Sequence, residues 1–190
     1  MGKIIVSENV TLDGVGQDPT GEEGFRLGGW FGRISDADRA AWAGFGLEEA
    51  LGVEAMLLGR TTYEFLAARW TARTGAWADR LNGLPKYVVS STLTDPAWAN
   101  TTVLTGDPVT AAKDVAARTD GGILVAGSGR LARTLLEHGL VGELRLMVFP
   151  FVLGDGDRPL GGNSEPRQMR LTGNRALGDN LVLLTYESPF

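Results

Sequence analysis

Three short apolar runs in this chain break off at a glycine or at hydroxyl residues, and this pattern restricts the fold more than any other feature. They are Leu57-Leu58-Gly59-Arg60-Thr61-Thr62, Val88-Val89-Ser90-Ser91-Thr92 and Val125-Ala126-Gly127-Ser128-Gly129-Arg130-Leu131. Buried strands that alternate with helical segments need long crossovers, so they build a mostly parallel sheet covered on both faces. In such a sheet, ligands sit beyond the carboxyl ends of the strands, where helix N-termini present free amides.

The remaining elements fit that frame. KIIVS (3–7) is a first β-branched apolar strand. A Gly-rich stretch follows, TLDGVGQDPTGEEGFRLGGW, with six glycines in twenty residues; connections of that length are usually functional or mobile. Ser35, with Asp36 and Asp38 after it, starts a helix that runs to about Ala50 and is irregular at Gly44 and Gly46. AMLL (55–58) is the second strand. Thr61 or Thr62 caps the helix TYEFLAARW, and a short segment at 79–82 precedes the strand KYVVSS (86–91).

TTVLT (101–105) comes next, then a helix opened by Asp107 and Pro108. The strand GGILVAG (121–127) feeds directly into SGRLARTLLEHG, with His138 in the last turn and Gly139 as the C-terminal stop. The apolar stretch ELRLMVFPFVLG (143–154), the turn DGDRP and two strands near 169–175 and 181–187 end the chain as an antiparallel hairpin. No repeat and no linker interrupts residues 1–190, so the expectation is one α/β domain.

Composition removes several kinds of chemistry. With no cysteine, the chain has no disulfide, thiolate nucleophile or cysteine-held zinc. His138 is the only histidine, which excludes imidazole triads and most transition-metal sites, so no metal is expected. A net charge of −5 argues against nucleic acid as a partner, since such binding needs a basic surface. No apolar run is long enough to span a bilayer, and the N-terminal run is too short for a secretory signal, so the expected place is the cytoplasm and no membrane is involved.

Each junction offers phosphate chemistry beside a plainer reading. At the first, Gly59 permits close backbone approach, Arg60 offers a guanidinium, and Thr61 and Thr62 offer hydroxyls; the alternative is a capped helix with a surface arginine. At the second, Ser90 and Ser91 either bond a ribose or phosphate or simply terminate a strand. At the third, Gly127, Gly129 and Ala132 fit the spacing G-x-G-x-x-A between a strand and a helix. The dinucleotide fold known for that spacing also needs an acidic residue at the end of the next strand, and LRLMVFPF has none.

Taken in order, these segments resemble the dihydrofolate reductases and the reductase domain of riboflavin biosynthesis (the RibD C-terminal type). Gly59-Arg60-Thr61-Thr62-Tyr63-Glu64 is similar to the G-R-x-T-x-E segment of the former, Ser90-Ser91 to their serine pair, and Gly127-Ser128-Gly129 to their glycine run. Thr11-Leu12-Asp13-Gly14 resembles the S-L-D-G of the riboflavin reductases, and residues 140–154 resemble their L-V-D-E-L…P-x-x-L-G.

The resemblance implies a three-layer fold: a central mixed, mostly parallel sheet of about eight strands, flanking helices and a C-terminal antiparallel hairpin. It implies NADPH as cofactor and hydride transfer to a small-molecule substrate, a planar heterocycle such as a pterin or 5-amino-6-(5-phosphoribosylamino)uracil. Arg60, Thr61 and Thr62 would hold adenosine-side phosphates, with Gly59, Ser90 and Ser91 beside them. The amides of Gly127, Ser128, Gly129, Arg130 and Leu131 would cover the pyrophosphate, and the backbone at Val10 would meet the nicotinamide. By the same analogy the chain forms a homodimer.

The catalytic candidates are Asp13, Asp36 and Trp30. Asp13 borders the nicotinamide end or stabilises a turn before Gly14. Asp36, with Asp38, either reaches the substrate from the first helix or supplies negative charge at its start. Trp30 lines the pocket or belongs to the core. Where riboflavin reductases carry a substrate-contacting Glu, this chain has Ala126; the arginine and the tandem glycine turn resemble those of stand-alone dihydrofolate-reductase-like proteins. The alternative function is a nucleotide-binding protein without turnover.

Overall fold

A computed structural model describes residues 1–162 and 165–189. It contains eight strands in one sheet of order β4-β3-β2-β5-β1-β6-β8-β7. These are β1 (Lys3–Thr11), β2 (Ala55–Gly59), β3 (Lys86–Val89), β4 (Thr101–Leu104), β5 (Gly122–Ala126), β6 (Glu143–Phe149), β7 (Arg170–Leu177) and β8 (Leu181–Glu187). From β4 across to β6 every pairing is parallel; β8 runs antiparallel to both β6 and β7. The mixed sheet and the terminal hairpin are those the sequence implies.

Among the described residues five α-helices cover the two faces: α1 (Asp36–Leu51), α2 (Arg60–Trp70), α3 (Ala76–Gly83), α4 (Pro108–Arg118) and α5 (Gly129–Glu137). Alternation along β1 divides its side chains between the layers. Ile4 and Val6 pack with Val115, Ala132 and Leu135 beneath α4 and α5. Ile5 packs with Met56, Tyr63, Leu81 and Trp98 on the opposite side, beneath α2 and α3. A third cluster joins Trp30 and Phe45 to Met147, Phe149, Leu181 and Leu183, so α1 and a 3₁₀ turn (Trp30–Arg33) close the β6–β8 end.

Several elements differ from the expectation, each for a visible reason. β1 continues four residues beyond Ser7, because its register with β6 runs from Ile5↔Glu143 to Thr11↔Phe149. β6 stops at Phe149, since Pro150 has no amide to continue the ladder. α1 runs unbroken through Gly44 and Gly46, and a Cβ at Gly46 would come within 2.2 Å of the Trp77 ring, so the glycine makes room for that indole. α3 spans eight residues where only a short segment was expected; it starts after Gly75 without a side-chain cap. α2 begins at Arg60, with Gly59 rather than a threonine at the cap position.

The Gly-rich stretch after β1 folds around one carboxylate. Asp18 is buried and accepts from the amides of Glu23 (3.1 Å) and Phe25 (3.0 Å). Among the described residues no helix is long and apolar enough to cross a membrane, and no group of three or more His, Asp or Glu side chains is placed to hold a metal ion.

Candidate functional site

At the carboxyl ends of β2 and β5, hydrogen bonds join the start of α2 to the start of α5. The amide of Gly59 donates to the hydroxyl of Ser128 (3.2 Å), which also lies 3.4 Å from the Ala126 carbonyl. Thr62 Oγ1 donates to the Gly127 carbonyl (3.2 Å) instead of capping its own helix. Gly127 takes a left-handed φ of 56° while its amide donates to the Ser7 carbonyl (3.1 Å). That conformation suits glycine, and a Cβ placed there would meet no atom within 4 Å, so the turn is open above its backbone. The first-turn amides of α5, up to Leu131, have no carbonyl partner earlier in their own helix and carry its partial positive charge. The leucine side chain itself is buried in the α4/α5 core.

Arg60 spans the neighbouring junction. Its Nε donates to Glu64 Oε1 (2.8 Å) and its Nη1 to Thr92 Oγ1, which leaves further guanidinium donors for a ligand. Ser90 Oγ accepts from the amides of Thr92 (3.2 Å) and Leu93 (3.0 Å), so this hydroxyl shapes the turn after β3; Ser91 and Thr61 are exposed beside it. Arg130 stands exposed at the start of α5.

The three catalytic candidates do not converge. Asp13 accepts from Thr11 Oγ1 (2.6 Å) and from the amides of Leu153 (3.2 Å) and Gly154 (2.8 Å), tying the turn after β1 to the segment after β6. The Thr11 hydroxyl and these amides hold its carboxyl down at about 2. Trp30 is 1% exposed, with its indole nitrogen donating to the Gln17 carbonyl (3.1 Å) and its ring 5.1 Å from that of Phe149. It belongs to the core cluster of Phe45, Met147 and Phe149. Asp36 is exposed at the first position of α1.

Asp38 is buried instead. Its carboxylate accepts from the amides of Asp179 (2.7 Å) and Asn180 (2.9 Å) and from Asn180 Nδ2 (3.0 Å). Burial pushes its pKa up, but these donors outweigh it and hold the group at about 2. Its role is to anchor the β7–β8 turn to α1. Val10 is buried near the end of β1.

Two features escaped the sequence reading. One is a row of aromatic rings on the α1 side: Phe31 lies 4.8 Å from Trp42, Trp42 lies 5.3 Å from Trp77, and Trp77 lies 4.6 Å from Trp70. Near the carboxyl end of β1 the Trp42 indole donates to Asn9 Oδ1 (3.4 Å). The four rings come from three elements and the 3₁₀ turn, so no local spacing marks them. The other is Glu8, a carboxyl on β1 that is only 5% exposed. Here a signal existed, because strand alternation puts Glu8 on the same face as Ile4 and Val6.

Comparison with known proteins places this geometry in context. Among solved structures, a putative riboflavin biosynthesis protein from Shewanella sp. PV-4 superposes with a TM-score of 0.77 at 19% identity, covering 99% of each chain. A pyrimidine reductase-like protein from Corynebacterium diphtheriae gives 0.68 at 14% identity, covering 97% of this chain and 91% of that one. A diaminohydroxyphosphoribosylaminopyrimidine deaminase/5-amino-6-(5-phosphoribosylamino)uracil reductase from Thermotoga maritima gives 0.64 at 16%; the match covers 98% of this chain and 56% of that one. At these identities the likeness speaks for the fold. No curated protein matches significantly. The family model described as the RibD C-terminal domain matches residues 2–183, nearly the whole chain, and the chain belongs to that family.

Proposed function

We propose that this chain is an NADPH-dependent reductase acting on a small planar heterocycle, of the pterin or aminopyrimidine class. The observation that carries the reading is the open glycine turn at Gly127, with the starts of α2 and α5 bonded side by side. Such a turn fits a diphosphate, because backbone amides and a helix N-terminus stabilise negative charge without a side chain in the way. When bound, NADPH supplies the hydride.

The chain's own residues bind and orient. The Ser128–Leu131 amides hold the diphosphate; Arg60, with Thr61 and Thr62, holds phosphate nearer the adenosine, and Ser90 and Ser91 shape that end. The backbone around Val10 and Thr11 forms the floor beside the nicotinamide. Asp13 keeps this floor in place by tying it to Leu153 and Gly154, and as an ionised, fully bonded carboxylate it is not the proton source. An acceptor ring would lie toward Asn9, Phe31 and Trp42, where the Trp42 indole bonds Asn9 and packs edge-on against Phe31. Membership of the RibD C-terminal family supports an aminopyrimidine as the first substrate class to try.

The test is turnover. Purified protein is incubated with NADPH and a panel of dihydropterins and phosphoribosylamino-uracils while the NADPH absorbance is followed. Substrate-dependent consumption supports the reading. Saturable NADPH binding with no consumption on any member overturns the reductase part and leaves a nucleotide-binding protein.

A further inference from the structure

Glu8 is the one buried side chain among the described residues with an enclosed polar atom, Oε1, that has no hydrogen-bond partner. Leaving a carboxyl in that condition is costly, and the usual outcome is that it keeps its proton. Its position gives this a consequence. Glu8 follows Ser7, whose carbonyl accepts from the amide of Gly127, and Ser7 itself is in register with Ala126. On its other side Glu8 is paired with Leu146 of β6. Alternation directs its side chain to the α5 face, beneath the first turns of the helix that opens at the glycine turn.

The charged groups that face Glu8 come from two elements. Arg133, on the second turn of α5, attracts its ionised form; Asp157, in the segment between β6 and β7, repels it. Arg133 is already committed to that segment, donating to Asp157 Oδ1 (3.1 Å) and to the Arg158 carbonyl (3.4 Å). The same segment packs Pro159 against Gly129, where a Cβ would come within 3.2 Å of the proline ring. The flanking positions on β1, Val6 and Val10, and the β6 partner Leu146 carry no charge. Burial pushes the Glu8 carboxyl up to about 8, and the counter-charge of Arg133 does not reverse that.

We propose that Glu8 is a proton-linked gate on diphosphate binding at the α5 glycine turn: neutral, it admits the anion above it; ionised, it opposes the anion. The proposal rests on the reading of that turn as the NADPH site, and it concerns affinity, not the hydride step. An ionised carboxylate repels a bound anion, and does so more strongly in a partly enclosed setting than in bulk water. By linkage, a bound diphosphate in turn holds the proton on Glu8 more tightly.

The experiment is an NADPH titration across pH 7 to 9.5, a range in which the cofactor's own phosphates stay ionised, for the wild type and Glu8→Gln. The amide mimics the neutral carboxyl in shape. The expected result is a loss of affinity on the order of tenfold for the wild type over that range, with Glu8→Gln flat at the level of neutral pH. Parallel pH profiles for the two proteins, with binding intact, overturn the gate while leaving the cofactor site standing. No binding at any pH in either protein overturns the cofactor reading and the gate with it. Carboxyl carbon NMR provides a check without any variant: the resonance missing from Glu8→Gln must titrate well above the ordinary glutamate range and shift upward with NADPH. Titration in the ordinary range rejects the proposal.

Discussion

The backbone amide of Gly59, at the cap of α2, donates to the hydroxyl of Ser128, which precedes α5, over 3.2 Å. One bond thus joins two helix starts that are 69 residues apart in the chain. Ser128 is only 5% exposed, and Ser128→Ala removes its hydroxyl and leaves the Gly59 amide without its partner. The expected cost is about 1–2 kcal/mol of stability, measured by denaturant unfolding. NADPH affinity should fall severalfold as the two starts lose their common register.

Arg60 separates the two nicotinamide cofactors. If its guanidinium meets the extra phosphate of NADPH, Arg60→Ala weakens NADPH by roughly tenfold or more while NADH changes little. Arg60→Lys recovers only part of the loss, because an ammonium cannot form the bidentate contact. Equal losses for both cofactors reject that role for the arginine. Isothermal titration with each cofactor gives the answer.

Asp13 and Asp38 make the protein sensitive to acid. Both are held at about 2 against an ordinary value of 3.8. A depressed folded value means the unfolded chain takes up the proton first, so this stabilisation is complete above about pH 4. It is lost as pH falls from there toward 2. Asp38→Asn removes a carboxylate that accepts three hydrogen bonds from the β7–β8 turn. The variant should be less stable at pH 7, with a shallower acid limb. Thermal melts across pH 2 to 7 test both features.

Gly46 tests the packing of α1 on α3. An alanine in an exposed helix position is normally favoured over glycine by about 1 kcal/mol. Here the added methyl would meet the Trp77 ring at 2.2 Å. Gly46→Ala should therefore destabilise by about 1–3 kcal/mol, reversing the usual sign. Trp77→Ala in the same background should remove the penalty, which a double-mutant cycle would show.

What could be read from the sequence was local or periodic. Ser35 caps α1 by accepting from the Asp38 amide, Asp107 caps α4 by accepting from Thr110, and Gly139 takes a left-handed φ just after α5. Each of these is decided within a few residues, and so is the glycine turn at Gly127. What could not be read depends on distant partners. The outer half of β1 is a strand because β6 pairs with it, about 138 positions later. Asp13 and Asp38 look free in sequence, yet their partners lie 141 residues away at Gly154 and Asp179. Trp30 became core because Phe149 and Phe151 meet it from another element. The turns offered as a cofactor surface are local features and could be read; the aromatic row could not, because its side chains come from separate elements.

The proposed NADPH site is made by the Gly127 turn and Arg60. Its most direct measurement is a titration with NADPH at pH 7, read by the fluorescence of the five tryptophans, for the wild type and for Gly127→Val. A cofactor site at this turn gives a saturable change in the wild type and a large loss of affinity in the variant, whose side chain both strains the left-handed backbone and covers the open turn. No saturable change in the wild type at millimolar cofactor, or equal affinity in a folded Gly127→Val, would contradict it.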